Sequence, residues 1–507
     1  MDDDSIKRIV IVGGGTAGWT SAVYLNRFLS GTGCEFTLVE SSDVGTIGVG
    51  EATVPSMAKF VRQMNFGEDE FMRRCHATYK LGIQFVDWVE EGNPYWHPFG
   101  ICGGCTVNDV DLFHLWLKIA RSGQDAGPYS SYFLQRVLAE SDLAPRPLAG
   151  TSPIMETISL AYHIDAGALA NFLREVATSE GVSHLVDNVG EVVLDERGFI
   201  DHVRTESGRD LHADLFIDCT GFGALLIGKA LGVPYVDWSD VMLCDSAVVT
   251  NLPADGSIPS YTCSTALAAG WVWRIPLSNR TGCGYVYSSS HVDDDDAAKQ
   301  LLAFANHDAA NEAELRFLKF DVGRRQTFWA KNCVAVGLAS GFIEPLESTG
   351  IFFIHKAVEL LAQHFPDKTF NEVTVAAYNK RVASLYEEVR DFIVLHYLLN
   401  RRDDQAFWQD SRSIEVPSSL AAKIDLYDEM GLLDPVRDTL FREGSYYSIF
   451  TGGGRLPRRL IPQSYLPEQD RVSAILEKVR EQNKNLAGAL PTHQALMEHV
   501  HGGLNAP

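Results

Sequence analysis

The stretch Arg8-Ile9-Val10-Ile11-Val12-Gly13-Gly14-Gly15-Thr16-Ala17-Gly18 decides the class of fold. After Arg8, four β-branched apolar residues run without a polar break, the pattern of a parallel strand buried on both faces. Glycines end it. Gly13, Gly15 and Gly18 have the GxGxxG spacing, and Ser21–Leu29 carries helical periodicity, so strand, tight turn and helix follow in order. Glu35-Phe36-Thr37-Leu38-Val39-Glu40 reads as a second strand and completes a βαβ opening. Such a turn lets the backbone approach a pyrophosphate lodged at the helix N-terminus. Glu40, about 20 residues beyond the last glycine, is placed for a ribose hydroxyl. A glycine-rich structural turn is the alternative, and the strand, helix and acid in register favour a dinucleotide site.

Outward from this opening, Leu215–Cys219 and Cys333–Gly337 are short apolar strands ended by glycine-rich turns. The alternating Trp- and Thr-rich pattern around Val249–Tyr287 suggests an antiparallel sheet. From about Gly350 the pattern turns helical, with amphipathic stretches at Ile351–His364, Tyr378–Asn400 and Asp470–Asn483. The expected fold is α/β: a Rossmann-like nucleotide module interleaved with a mixed sheet over residues 1–360, and a mostly helical, substrate-covering subdomain over 361–507.

Composition narrows the partners. The chain has 507 residues, 46% hydrophobic and 21% charged, with a formal net charge of −23. A surface that acidic repels nucleic acid and anionic membrane, and solubility accounts for it. The acidic start Met1-Asp2-Asp3-Asp4 offers no basic n-region, and no apolar run is long enough to span a bilayer. Nine scattered cysteines fit reduced thiols and a cytoplasmic setting. Cys102-Gly103-Gly104-Cys105 is the one CxxC; two loop cysteines is its simpler reading, redox or metal chemistry the other.

Two further segments separate FAD from NAD. His212-Ala213-Asp214-Leu215-Phe216-Ile217-Asp218-Cys219-Thr220-Gly221-Phe222 resembles the second flavoprotein signature, and Val334-Ala335-Val336-Gly337-Leu338-Ala339-Ser340-Gly341 resembles the turn that runs past the ribityl chain. Gly270-Trp271-Val272-Trp273-Arg274-Ile275-Pro276 is the most telling run. Its tryptophans, two apart on a strand, share a face and suit a packed aromatic ladder. The WxWxIP string also resembles the fingerprint of flavin-dependent halogenases of the tryptophan halogenase family. Matches continue in order: Gly48-Val49-Gly50-Glu51-Ala52-Thr53-Val54-Pro55 resembles that family's flavin loop, Tyr79-Lys80-Leu81-Gly82 its lysine segment, and Glu344-Pro345-Leu346-Glu347-Ser348-Thr349-Gly350 its glutamate segment. Arg390–Tyr397 shares the family's pattern, and the resemblance runs from residue 8 to about 400.

The resemblance implies an enzyme in which reduced FAD, dioxygen and halide yield hypohalous acid, which halogenates an aromatic ring. It implies cofactor contacts at Gly13, Gly15, Gly18, Glu40, Gly50, Ala52 and Gly337, and halide on the backbone N–H groups of Thr349 and Gly350. Those two amides stand at a helix start, where the dipole favours an anion. Lys80 would meet the oxidant as a hydrogen-bond donor or a transient haloamine; a surface lysine is the reading without the family context. Glu347 would orient the oxidant or act as general base, and an acid in a first helical turn is its structural alternative. Only one dinucleotide fingerprint is present, so FADH2 is expected from a separate, diffusing flavin reductase. A monomer or homodimer is expected.

Tyr95-Trp96-His97-Pro98-Phe99-Gly100 resembles the family's HPF segment, in which His97 and Phe99 would flank the substrate ring; core packing is the alternative for Phe99. The tryptophan enzymes carry Trp-x-x-x-Asn-Tyr-Tyr, with a nearby Glu, around the ring and the amino-acid head group. Here the stretch is Phe441-Arg442-Glu443-Gly444-Ser445-Tyr446-Tyr447, with Phe441 for Trp and Ser445 for Asn, and no acid clearly placed for an ammonium. Lost charge-assisted contacts of about 1.5–3 kcal/mol each point to a ring without the zwitterion: indole or an indole derivative. An aromatic hydroxylase, or L-tryptophan as substrate, is the alternative. Halide preference and ring position are not legible.

Overall fold

Arg8–Val12 (β1) is a strand in which all but Arg8 are buried, and the chain turns at Gly13–Gly15 into helix α1, Thr16–Phe28. Glu35–Glu40 (β2) lies parallel to β1, Ser183–Val186 (β3) parallel to β2. On the other side of β1, Leu215–Asp218 (β4) and then Cys333–Ala335 (β5) continue the parallel sheet, and Trp329–Ala330 closes that edge antiparallel. The order β5-β4-β1-β2-β3 places β1 centrally, with its carboxyl end opening to the glycine turn, the usual position of a ligand crevice in such a sheet. Val10, Val12, Val39, Phe216 and Ala335 pack one core across these strands. A later helix, Gly350–Gln363 (α2), carries a continuous buried face from Ile351 to Ala362.

The computed structural model describes residues 4–43, 50–102, 109–149, 159–254, 256, 258–305, 314–434 and 439–502. The chain forms two units, each built from three segments. The parallel sheet belongs to the first, Met1–His76, Ile164–Ser239 and Phe320–Glu387. The second comprises Ala77–His163, Asp240–Lys319 and Glu388–Pro507. Helix α2 thus stays with the first unit, and the long helix Glu372–Leu398 carries the chain into the second.

The second unit holds a seven-stranded mixed sheet in the order 316–319, 246–253, 280–287, 270–276, 262–267, 82–86, 95–98. Its last helices include Ser418–Met430, Glu443–Gly452, Gln469–Ala487 and His493–His501. The WxWxIP strand is central and its indoles are core. Trp271 lies 6.3 Å from Trp88, and Trp273 faces Gly284 on the neighbouring strand. A side chain at Gly284 would begin 2.5 Å from an indole carbon of Trp273, so only glycine leaves room for the ring. The eight described cysteines are all free thiols; Cys105 of the CxxC lies outside the described residues. Among the described residues no helix is long and apolar enough to cross a membrane.

Gly284→Ala is expected to overpack this ladder and cost about 1–3 kcal/mol. Urea unfolding checks it: the midpoint should fall clearly below that of the parent chain, and an unchanged midpoint refutes the account of Trp273.

Candidate active site

The glycine turn of the first unit works by close approach. A side chain at Gly13, whose φ is +114°, would overlap the Cys219 carbonyl, and one at Gly18 would overlap the carbonyl of Gly13. Helix and turn are thereby pressed onto the strand ends. Gly15 faces open space instead, with nothing within 4 Å of a side chain there. It starts α1 with no side-chain cap, so the first-turn N–H groups are left for an anion.

Those glycines border a cavity of about 660 Å³. Gly13, Gly15, Glu40, Gly337 and Gly350 of the sequence-derived set line it, as do Glu51, Thr220, Phe222 and Tyr386. Gly18, Gly50, Ala52 and Thr349 are not among its walls: Gly18 packs beneath the turn, Gly50 and Ala52 flank the wall residue Glu51, and Thr349 lies just behind Gly350. Gly48 and Val49 lie outside the described residues. The Glu40 side chain folds over Gly14 and is held by His184 Nε2 at 2.9 Å. The third segment closes in at Gly337, where φ is +72° and a side chain would begin 2.8 Å from the Ala17 methyl. A bare glycine turn with uncapped amides, and an oriented carboxylate beside it, is the donor and acceptor set a pyrophosphate and a ribose require. The residues present therefore fit FAD.

Asp218, which no motif singles out, organises the cavity floor. Its carboxylate, fully buried at the end of β4, accepts from Thr220 N–H (3.0 Å) and Thr220 Oγ1 (2.6 Å) through Oδ1. Oδ2 accepts from the N–H groups of Leu226 (2.9 Å) and Ile227 (2.8 Å). These bonds bend Cys219–Gly223 under the cavity and start the helical turn Leu225–Ala230. The signal was in the sequence: an acid ending an apolar strand has a buried charge to satisfy, and the nearest donors are the turn's own amides.

At the far side, Glu347 ends a 3₁₀ turn, Pro345–Glu347, and its side chain is fully buried. Ser348 takes φ +59°, and Thr349 then precedes α2 without a side-chain cap. The Thr349 hydroxyl is buried with no hydrogen-bond partner, and Gly350 opens to the cavity. An uncapped N-terminus with a spare buried hydroxyl suits a small anion.

In the second unit Lys80 is fully buried on the strand Thr78–Lys80, paired with Ala161. Its ammonium lies 5.1 Å from the centre of the Phe99 ring, a cation–π contact. His97 follows, 6.0 Å from Phe99 and 5.9 Å from Phe441. Phe441 stacks on Phe392 at 3.8 Å, and Tyr446 meets Phe392 edge-on at 4.9 Å. Lys80, Phe99, His97 and Phe441, about 360 positions apart at the extremes, are thus brought into one series of contacts. Core packing and a ring-facing role are both served by such a wall.

The Lys80 strand is anchored to the tryptophan strand by groups the sequence reading missed. Thr78 Oγ1 donates to the carbonyl of Pro276 at 2.6 Å. It can then only accept from His163 Nδ1–H (3.2 Å), which leaves Nε2 to accept from Thr262 (2.9 Å). Burial pushes the His163 pKa well below its ordinary value, and the charge on Lys80 adds to this, so the imidazole beside Lys80 is neutral. Glu388 lies beside Phe441 and accepts its N–H at 3.3 Å. Lys423 donates to the Tyr446 hydroxyl at 2.7 Å; burial lowers its pKa against the pull of Asp391, Glu388 and Asp434.

Comparison with known proteins settles the family, since the family model described as tryptophan halogenase matches residues 8–467. The chain belongs to the tryptophan halogenase family. It is 37% identical over 536 residues to tryptophan 6-halogenase ThaL of Streptomyces albogriseolus, covering 99% of both chains. It is 35% identical to tryptophan 7-halogenase RebH of Lentzea aerocolonigenes, covering 98% of this chain and 99% of that one. Among solved structures, BrvH, a flavin-dependent halogenase from Brevundimonas sp. BAL3, superimposes with a TM-score of 0.90 at 38% identity, covering 97% of this chain and 99% of that one. This tryptophan halogenase family member is accordingly a flavin-dependent enzyme on a mixed α/β fold, as the ordered motifs implied.

Asp218→Ala is expected to leave four donors buried without their acceptor, lowering thermal stability and weakening FAD binding at least tenfold. Each lost bond to a charged group is worth about 1.5–3 kcal/mol. Flavin fluorescence titration checks this, and wild-type affinity in a folded Asp218→Ala protein refutes the role given to Asp218.

Proposed function

We propose that this enzyme uses FADH2, dioxygen and chloride or bromide to halogenate an electron-rich aromatic ring, with indole or an indole derivative lacking the amino-acid head group as substrate. The observation that carries this reading is the buried series Lys80–Phe99–His97–Phe441–Phe392. An ammonium sealed from water is costly unless it has work to do, and here it begins a run of flat side chains suited to a flat substrate.

Bound FADH2 would supply two electrons and two protons, which with one further proton take dioxygen and halide to hypohalous acid and water. The chain's own groups then direct the outcome. Lys80 meets the oxidant, donating a hydrogen bond to it or exchanging a proton for the halogen with release of water. His97, Phe99 and Phe441 hold the ring by its faces. Glu347 orients the oxidant or takes the ring proton as the aromatic system re-forms. Thr349 and Gly350 hold the halide on backbone N–H groups, and Gly13, Gly15, Gly18, Glu40, Gly50, Ala52 and Gly337 hold the flavin. With one dinucleotide fingerprint in the chain, a separate reductase delivers the reduced flavin.

Relatives named as tryptophan 6- and 7-halogenases support an indole ring. The departure from the tryptophan enzymes' head-group segment, with Phe441 for Trp and Ser445 for Asn, argues against the free amino acid. With a flavin reductase and bromide supplied, indole should turn over faster than L-tryptophan, and the product mass should shift with the halide. Faster turnover of L-tryptophan overturns the substrate assignment; a halide-independent hydroxylated product overturns the reaction. Lys80→Ala should abolish halogenation, a loss of at least about a hundredfold, while FAD remains bound by difference spectroscopy.

A further inference from the structure

Glu51 is a carboxylate in the flavin cavity that none of the roles above employs. It lies half-buried on the short strand Glu51–Ala52 and lines the cavity. Its Oε1 stands 3.3 Å from the point at which a side chain on Gly350 would begin. That is the N-terminus of α2, a helix of 14 residues with no side-chain cap, and beside it the Thr349 hydroxyl is buried without a partner. A negative charge on Glu51 therefore stands where the helix favours an anion, and within a few ångströms of any halide held there.

We propose that Glu51 is the positioning residue that gates the anion site at the start of α2: protonated, it leaves the terminus to halide, and ionised, its own carboxylate takes the halide's place. The inference rests on the halogenase reading and concerns how that enzyme admits its halide. No covalent step is involved; one proton enters Glu51 as one halide binds.

The surroundings let Glu51 titrate by itself. Burial alone raises its pKa from the ordinary carboxylate value to about 7. The other acids of the cavity wall are occupied: Glu40 is held by His184, and Asp187 by the Ser207 hydroxyl, which lowers its pKa. On α2, burial pushes His355 down to about 3, so it is neutral. Lys356 pairs with Glu359 at 2.9 Å, and Lys59, from the neighbouring helix Ser56–Gln63, pairs with the same acid at 3.0 Å. Because the folded-state pKa is raised, the neutral form prevails below about 7 and is lost as pH rises through that value.

The test is bromide titration of the protein loaded with oxidised FAD, followed by bromide NMR line width and by the flavin absorbance, on both sides of neutrality. Wild type should lose bromide affinity about tenfold per pH unit above the Glu51 transition. Glu51→Gln should bind bromide equally well across the range, and Glu51→Asp should restore a pH dependence. Retained flavin binding shows that each variant is folded. A pH-independent wild type, or Glu51→Gln with the wild-type slope, overturns the gate and leaves the halogenase reading standing. Failure of wild type and Glu51→Gln to bind bromide at any pH overturns both the gate and the halide site.

Discussion

A single carboxylate with four hydrogen-bond donors shapes the turn beneath the glycine-lined cavity of the first unit. Asp218 ends the strand next to β1, deep in the sheet, where a charge is tolerated only if the surrounding backbone turns its amides inward. Thr220, Leu226 and Ile227 do so. The turn they enforce brings the Cys219 carbonyl against Gly13, and the contact of Gly13 with Gly18 sets the first helix on the sheet. The cavity, the uncapped start of α1 and the position of Glu40 all follow from that compression. A glycine motif alone is a flexible loop; pressed between two strand ends it becomes a rigid anion seat.

The second unit solves a different problem, which is to keep an ammonium dry. Lys80 is buried against Phe99 on a strand whose own hydrogen-bond chemistry is settled elsewhere, through Thr78, His163 and Thr262. The neutral imidazole matters here. A second cation beside Lys80 would raise the cost of keeping the lysine charged, whereas a neutral ring with both nitrogens satisfied adds rigidity and no charge. The tryptophans of the WxWxIP strand contribute as mass: Trp271 and Trp273 fill the sheet that carries these anchors, and Gly284 makes room for one of them. Their value to the chemistry is indirect, through the strand end at Pro276 that Thr78 grips.

Much of this was legible from residue order. The strand Arg8–Val12, its glycine turn and the strand Glu35–Glu40 were read with their observed limits, because local apolar runs and glycine punctuation report directly on backbone geometry. The long helices were found with boundaries off by a few residues, as at Gly350–Gln363 and Glu372–Leu398. Lys80, His97, Phe99 and Phe441 could be named because each sits in an ordered motif. Glu51 and Asp218 lie inside motifs without standing out, since acids in a glycine-rich loop and at a strand end look ordinary until their burial is known. Glu388 was missed altogether: it lies some fifty positions from the Phe441 amide it holds, and no spacing rule connects them.

The sequence by itself determined the fold class, the flavin-type glycine turn and the family, because all three are carried by short segments whose physics is local. Only the tertiary structure decided that a lysine on one strand shares a wall with a phenylalanine about 360 positions later, and that Glu51 faces the start of α2. Only the tertiary structure, too, made the floor beneath the glycine turn of Gly13, Gly15 and Gly18 depend on Asp218. The reason is the same in each case. Burial, desolvation and hydrogen-bond satisfaction are properties of a place in the folded chain, and no residue carries them until distant segments have closed around it.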